Sequence, residues 1–251
     1  MSERAKRESE VGGWDPAQYE KFKRERELPF EDTLALVARR SGIRAIDLGC
    51  GTGELTARLH EALPGSEVLG VDSSAEMLAR AKPRPGLRFE VKRIKEVHGT
   101  WDLVFSHAAI HWVEDHARLV PRLFSMVAPG GQLVVQMPSN HKHEAQRIVC
   151  ELAGWEREVP VLDIGAYAEL LYAAGGRALT VLEKVYPHEL PGSDALLEWL
   201  SGTALLPYLE RMAEADRGPF KGELAHRLRA RWPGPVFFAF KRIIFAARRE
   251  S

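Results

Sequence analysis

Two carboxylates and three glycines crowd into Asp47-Leu48-Gly49-Cys50-Gly51-Thr52-Gly53-Glu54, directly behind the apolar pair Ala45-Ile46. A second apolar run, Val68-Leu69-Gly70-Val71, ends in Asp72. A glycine turn followed by an acidic residue at the tip of the next strand is how a doubly wound sheet holds an adenosine ribose. The glycines admit the ligand close to the backbone, and the carboxylate accepts the ribose hydroxyl hydrogens. A dinucleotide site has the spacing G-x-G-x-x-G, with its pyrophosphate on a helix N-terminus. Here the spacing is G-x-G-x-G, with Asp47 before the loop and Glu54 after it. Those charges repel a pyrophosphate and favour an ammonium, and Glu54 suits the start of a helix. The loop therefore fits S-adenosylmethionine, which carries a ribose, an amino acid and a sulfonium but no phosphate.

The elements that must hold this loop follow from pattern. Strands are expected at Arg44–Leu48, Glu67–Val71, Leu87–Val91, Trp101–Ser106 and Gln132–Met137, with helices between them. Trp101–Ser106 is a continuous apolar run of the kind buried in parallel sheets. Pro129-Gly130-Gly131 reads as the turn before Gln132. A helix is expected at about 15–27, opened by Asp15-Pro16. Further helices are expected at Phe30–Arg40, up to about Leu63, at Ser74–Ala81 and at about His116–Val127. This βαβ repetition predicts a doubly wound, mostly parallel α/β sheet. After Pro138 the alternation stops. Residues 139–176 and 192–232 read as helical insertions, after strand 5 and between strands 6 and 7. Ala178–Tyr186 and Val236–Ala246 read as the last two strands, a hairpin-like edge. Residues 1–12 read as a disordered tail, leaving 13–251 as one domain with a cap helix and helical lids.

Lys plus Arg and Asp plus Glu both total 35, so the formal net charge is zero. That balance argues against a nucleic-acid or anionic-membrane partner. No apolar run approaches the ~18 residues of a membrane span, and the charged N-terminus has no signal region behind it. Two cysteines, one inside the glycine loop, make no disulfide framework. A cytoplasmic protein is expected, as a monomer or small homo-oligomer acting on a small molecule. His141-Lys142-His143-Glu144 has metal-like composition, but H-x-H alone is a weak signal, and no metal is expected. Cys50 is expected to pack as a small side chain.

Several motifs beyond the glycine loop resemble the class I S-adenosylmethionine-dependent methyltransferases, and within them the trans-aconitate methyltransferase family. They are Trp14-Asp15-Pro16-x-x-Tyr19-x-x-Phe22, Val71-Asp72-Ser73-Ser74-x-x-Met77-Leu78 and Ser106-His107-Ala108-Ala109-Ile110-His111-Trp112. Gln136-Met137-Pro138-x-Asn140, Glu198-Trp199-x-x-Gly202-Thr203 and Phe240-Lys241-Arg242-Ile243-Ile244-Phe245 continue the likeness. The resemblance implies a seven-stranded Rossmann-like methyltransferase sheet. It implies that Asp47, Gly49, Cys50, Gly51, Gly53, Asp72, Ser73, Met77, His107 and Ala108 line the cofactor. It further implies that Tyr19 and Arg26, on one face of a cap helix, meet the cofactor, against the alternative of solvated charge. Two departures stand out. The family's acidic residue after strand 3, which reads the adenine amino group, is Arg93 here, leaving backbone near Ile94 for the base. The Arg of the family's G-T-x-L-R-P-Y segment is Leu206 here.

Methyl transfer from a sulfonium needs the acceptor aligned with the methyl and water excluded. An ionised carboxylate acceptor needs no base, whereas a phenol or alcohol does. His111 is the base candidate for that second case. Trp14, Trp112, Lys241 and Arg242 are the candidate substrate residues. Trp112 and His107 are equally open to a packing role, and Lys241 and Arg242 to guarding an edge strand. The expected activity is O-methylation of a small carboxylic acid, trans-aconitate or a relative, to its methyl ester. Methylation of a carrier-bound malonyl group or a natural-product hydroxyl, and cofactor binding without turnover, are the alternatives.

Overall fold

A computed structural model describes residues 23–202 and 204–251, with side chains from Leu28 onward. These residues form two compact units. Asn140–Glu158 and Pro187–Ala239 belong to a helical unit; Arg26–Ser139, Val159–Tyr186 and Phe240–Ser251 belong to a sheet unit. The strands are β1 (Arg44–Leu48), β2 (Glu67–Asp72), β3 (Leu87–Val91), β4 (Trp101–His107), β5 (Val127–Pro138), β6 (Gly176–Leu190) and β7 (Val236–Arg249). They form one seven-stranded sheet in the order β3-β2-β1-β4-β5-β7-β6. β1 to β5 pair in parallel, and β7 runs antiparallel against β5.

The chain winds outward from β1 to β3, then crosses back to β4 on the other side of β1. That reversal is a topological switch point, and ligands bind outside the carboxyl ends of strands at such a point. Alternate residues feed two cores. Ile46, Leu48, Val104, Val135 and Phe245 pack with helices His116–Ser125 and Ile164–Ala173. Ala45, Leu103, Phe105 and Val134 pack with Phe30 and Leu34 of helix Lys23–Ala35 and Leu59 of helix Glu54–Glu61. No helix among the described residues is long and apolar enough to cross a membrane.

Four elements differ from the sequence reading. Residues 15–22 lie outside the described residues, and one helix, Lys23–Ala35, runs through Pro29 where a break was expected. An interior proline costs about 3 kcal/mol. Phe30 and Leu34 are 0% and 6% exposed, and fully burying two such side chains contributes about 1.5–3 kcal/mol each, enough to hold the helix. The Thr33 hydroxyl also donates to the Pro29 carbonyl at 2.6 Å. The expected helix Ser74–Ala81 contracts to Ala75–Leu78, and the chain beyond it tightens into i→i+3 turns, Arg80 N–H to the Met77 carbonyl at 3.2 Å and Ala81 N–H to the Leu78 carbonyl at 2.9 Å. β5 begins at Val127, and Pro129-Gly130-Gly131 bulges within it through a register shift opposite Trp101 and Leu103. The stretch 139–176 divides: Asn140–Glu158 belongs to the helical unit, while helix Ile164–Ala173 buries Tyr167 and Leu171 in the sheet core.

A buried polar chain ties that helix to the turn after β4. His116 Nε2 meets the Ile110 carbonyl at 2.9 Å, and its Nδ1 meets the Tyr167 hydroxyl at 2.6 Å. The Leu162 N–H donates to the same hydroxyl at 3.0 Å. Every partner is satisfied when the imidazole is neutral, with Nε2–H donating and Nδ1 accepting. Burial pushes its pKa below the ordinary 6.5, against the opposing pull of the Ile110 carbonyl. Below pH 6.5 the unfolded chain therefore takes up a proton that the folded imidazole refuses. Stability is present above that pH and declines as pH falls through the window beneath it. His116→Gln, which keeps a donor and an acceptor, is expected to show a shallower fall in Tm from pH 7 to pH 5 than the parent. Comparing the two curves removes the contributions of His143, also depressed by burial, and of Asp47. Parallel curves would exclude His116 as the source.

Candidate functional site

The three loop glycines all have positive φ, 82°, 55° and 73° at Gly49, Gly51 and Gly53, yet they serve different ends. A Cβ on Gly49 would lie 2.1 Å from the Ala109 Cβ, so this glycine lets the chain leaving β4 close onto the loop. A Cβ on Gly53 would lie 2.7 Å from the Phe89 ring, and one on Gly70 would lie 2.6 Å from the same ring. Phe89, on β3, thus fills the space under the loop. Only Gly51 looks onto open room, with the Met77 Cε at 3.4 Å as its nearest neighbour.

Asp72 ends β2 and fixes two turns. One carboxylate oxygen accepts the Gly51 N–H at 2.8 Å and the other accepts the Ser74 N–H at 2.9 Å. Ser74 in turn caps helix Ala75–Leu78 by accepting the Met77 N–H at 3.2 Å. Ser73 is exposed and Met77 buried at this corner. Beyond β3, Arg93 is exposed and its N–H donates to Glu96 Oε2 at 3.1 Å. Ile94 begins a short 3-10 turn to Glu96, and its Cδ1 lies 3.9 Å from the Cβ position of Gly49.

On the other side of β1, His107 closes β4. It is 8% exposed, and its ring meets Phe30 edge-on at 5.5 Å. Ala108 takes a left-handed φ of 53°, a strained setting for a residue with a Cβ. Its N–H is gripped by the Gln136 carbonyl at 2.9 Å and the Gln136 side-chain oxygen at 3.2 Å. His111 and Trp112 follow in the 3-10 turn Ile110–Trp112, rings 4.8 Å apart and half-buried. Arg242 pairs with Pro138 at the carboxyl end of β5 and is 4% exposed, its guanidinium 4.2 Å over Phe240. Tyr186, equally buried on β6, donates to Asp32 at 2.5 Å, and Lys184 joins the same oxygen at 2.7 Å. Lys241 is exposed and pairs with Glu183 at 3.2 Å. β7 lies between β5 and β6, so guarding an edge strand does not explain either cation. Trp14 and Tyr19 lie outside the described residues; Arg26 lies in helix Lys23–Ala35, with only its backbone described.

The loop's charge is held in an unusual state. Asp47 is 3% exposed. Its Oδ2 accepts the Thr56 hydroxyl hydrogen at 2.6 Å, and its Oδ1 is buried with no partner among the described residues. Burial raises its pKa to about 7, with the Thr56 hydrogen bond opposing and the Asp72 charge adding. Burial first, then Asp47 and Asp72, also push the Cys50 thiol far up, so Cys50 packs beside Gly70 as a neutral side chain. An unpartnered buried carboxylate oxygen, an open Gly51 and an anchored acid at the tip of β2 fit an S-adenosylmethionine. Asp72 would hold the ribose and the loop the methionine end, whose ammonium suits the Asp47 charge.

Sequence reasoning passed over the residues that hold this site: Thr56, Phe89, Gln136, Tyr186 and Asp32. Thr56 carried a signal, because it lies on the helix that begins one residue after Gly53 and can reach back to Asp47. Phe89 and Tyr186 carried none, since their contacts come from strands distant in sequence.

Residues 39–183 match a family described as a methyltransferase domain. A trans-aconitate 2-methyltransferase of Deinococcus radiodurans is 45% identical over 255 residues, spanning 95% of this chain and 99% of that protein. One of Variovorax paradoxus is 34% identical over 95% of this chain and 99% of that protein. A phosphoethanolamine N-methyltransferase 2 of Haemonchus contortus, solved with phosphomonomethylethanolamine and S-adenosylhomocysteine, superimposes with a TM-score of 0.56 at 18% identity. The superposition covers 88% of this chain and 53% of that one, and it shows the fold.

Two tests separate the glycines and the carboxylates. Gly49→Ala is expected to destabilise the fold by well over ~1 kcal/mol, because the new methyl meets Ala109 and φ is positive. Gly51→Ala is expected to keep much more of that stability while weakening S-adenosylhomocysteine binding; equal Tm losses would refute the distinction. S-adenosylmethionine affinity is expected to fall as pH drops below about 7. There the free protein holds Asp47 protonated, and an ammonium selects the carboxylate, so binding must release a proton. The slope approaches ~tenfold per pH unit at its limit, and Asp47→Asn should flatten it in calorimetric titrations.

Proposed function

Because the chain belongs to the trans-aconitate 2-methyltransferase family of methyltransferase-domain proteins, we propose that it methylates a carboxylate of trans-aconitate with S-adenosylmethionine. The cofactor supplies a methyl group made electrophilic by its sulfonium. A carboxylate oxygen of the acceptor forms the new C–O bond as the S–C bond breaks, and that electron pair stays on sulfur. The products are a methyl ester and S-adenosylhomocysteine. The acceptor is ionised at neutral pH, so no side chain has to remove a proton. What this chain must supply is alignment and exclusion of water.

The observation that supports a carboxylate acceptor is Arg242. It is a guanidinium, 4% exposed, at the carboxyl end of β5, and a guanidinium is the side chain whose geometry matches a planar carboxylate. It supplies the kind of contact that Leu206 lacks. Tyr186 and Phe240 wall it in, and Asp32 holds the Tyr186 hydroxyl. His107 and Ala108 close the neighbouring strand tip, and Asp47, Gly51 and Asp72 take the cofactor. In this reading His111 and Trp112 shape the acceptor side without proton transfer.

Arg242→Met is expected to raise KM for trans-aconitate by about ten- to hundredfold, the scale of a lost hydrogen-bonded charge. S-adenosylhomocysteine affinity should hold. Lys241→Met should do much less, since Lys241 is exposed and already paired. His111→Ala should leave the basic limb of the pH–rate profile in place. Turnover of neutral phenols but of no acid, collapsing with His111→Ala, would overturn the carboxylate reading.

A further inference from the structure

The strand order fixes where each part of a bound nucleoside falls. Asp72, at the tip of β2, is the ribose partner, and the loop after β1 lies on one side of it. On the other side lies β3, paired with β2 through Asp72 and Val91. The base of a nucleoside whose ribose sits on Asp72, and whose 5′ substituent points to β1, extends toward the turn after β3. That turn offers no carboxylate at its first position, since Arg93 is donor-only. Its backbone remains. Ile94 and Lys95 open a 3-10 turn, and the first N–H groups of such a turn have no partner within it.

What holds this turn comes from elsewhere in the sequence. Arg122, on helix His116–Ser125, donates to the carbonyls of Ile94 at 3.2 Å, Lys95 at 2.9 Å and Val97 at 2.6 Å. The guanidinium uses both terminal nitrogens on three of the four carbonyls from Ile94 to Val97. Glu96 closes the same turn from the front by accepting the Arg93 N–H. Drawing the carbonyls toward Arg122 turns the peptide planes of the turn together, because each plane is rigid. The Ile94 side chain, beside Gly49, is fixed with it.

We propose that Arg122 is a positioning residue for the cofactor: clamped on Ile94, Lys95 and Val97, it sets the turn after β3 so that backbone N–H groups, not an acidic side chain, read the base. This rests on the cofactor lying along the tips of β1, β2 and β3. A backbone N–H can donate to the unprotonated ring N1 of adenine. It cannot donate to N1 of hypoxanthine, which carries a hydrogen of its own and leaves only the neighbouring O6, displaced from that line, to accept. The clamp therefore sets base selectivity as well as affinity.

The test is calorimetric titration of the whole protein with S-adenosylhomocysteine and with its hypoxanthine analogue. Parent, Arg122→Lys, Arg122→Met and Asp72→Ala are compared well below their Tm, with amide exchange followed at residues 93–97. Arg122→Met is expected to weaken S-adenosylhomocysteine by about ten- to hundredfold, as for lost hydrogen bonds to a charged group. It should also narrow the preference for adenine over hypoxanthine and speed exchange in the turn. Arg122→Lys, a single ammonium unable to span three carbonyls, should fall between, and it decides the matter if Arg122→Met does not fold. A lowered Tm with affinity and base preference unchanged would reduce Arg122 to a structural residue and overturn the proposal. If Asp72→Ala also leaves affinity untouched, it is the placement along β2 that fails. If only the Arg122 variants leave it untouched, the clamp alone fails.

Discussion

Asp72 accepts one backbone N–H from the loop after β1 and another from the turn that begins the next helix. The position of the glycine loop is thereby fixed to the tip of β2, and so is the helix capped by Ser74. The carboxylate is thus oriented beforehand by the protein's own amides, and a group held in this way lowers the ordering cost of binding a ligand. The same reasoning extends to Gly51. Its amide is committed to Asp72, and the Gly49 and Cys50 amides both donate to the Val71 carbonyl, at 2.8 and 3.0 Å, so the loop is tied to the end of β2 through three consecutive N–H groups.

Around that joint the site has two sides with different physics. Toward β4 and β5 it is built from side chains: His107 on Phe30, Arg242 on Phe240, Tyr186 on Asp32. These are buried polar groups, expensive unless paired, and each is set against an aromatic ring or a carboxylate. Toward β3 it is built from backbone: the 3-10 turn from Ile94, gripped from behind by a guanidinium. Asp47 lies between, its Oδ1 buried with no partner among the described residues and its pKa raised by that burial. A protonated acid is tolerable in such a pocket until a positive charge arrives to ionise it.

The parts legible in the sequence are those governed by local rules. The strand-to-helix glycine turn, the acid at the tip of β2 and the continuous apolar runs of the parallel strands are all local patterns, and their order implied the sheet. The N-terminal helix was misread because a strong local rule met a stronger tertiary one: Pro29 breaks an isolated helix, but Phe30 and Leu34 are held under β1 and β4. β5 was cut short because Pro129-Gly130-Gly131 is turn chemistry, and a bulge uses the same residues as a turn. In sequence the three glycines read alike, as residues that admit a ligand close to the backbone. What separates them is Phe89 and Ala109, brought in by β3 and by the exit of β4, which no spacing in the loop could reveal.

Arg122 shows the same limit in reverse. In sequence it is one more cation on an amphipathic helix, and a solvated charge is the default for such a residue. Its meaning comes from the parallel sheet. A helix that follows β4 must pack back over that strand, and its face then reaches the turn that precedes β4. An acidic side chain at position 93 would serve adenine from within that turn. Without one, the turn's N–H groups must do so, and a 3-10 turn is too short to hold its own direction. The guanidinium behind Ile94, Lys95 and Val97 supplies that direction. The substitution at Arg93 and the clamp from Arg122 are therefore two aspects of one arrangement, in which side-chain recognition gives way to backbone recognition held rigid from the second layer.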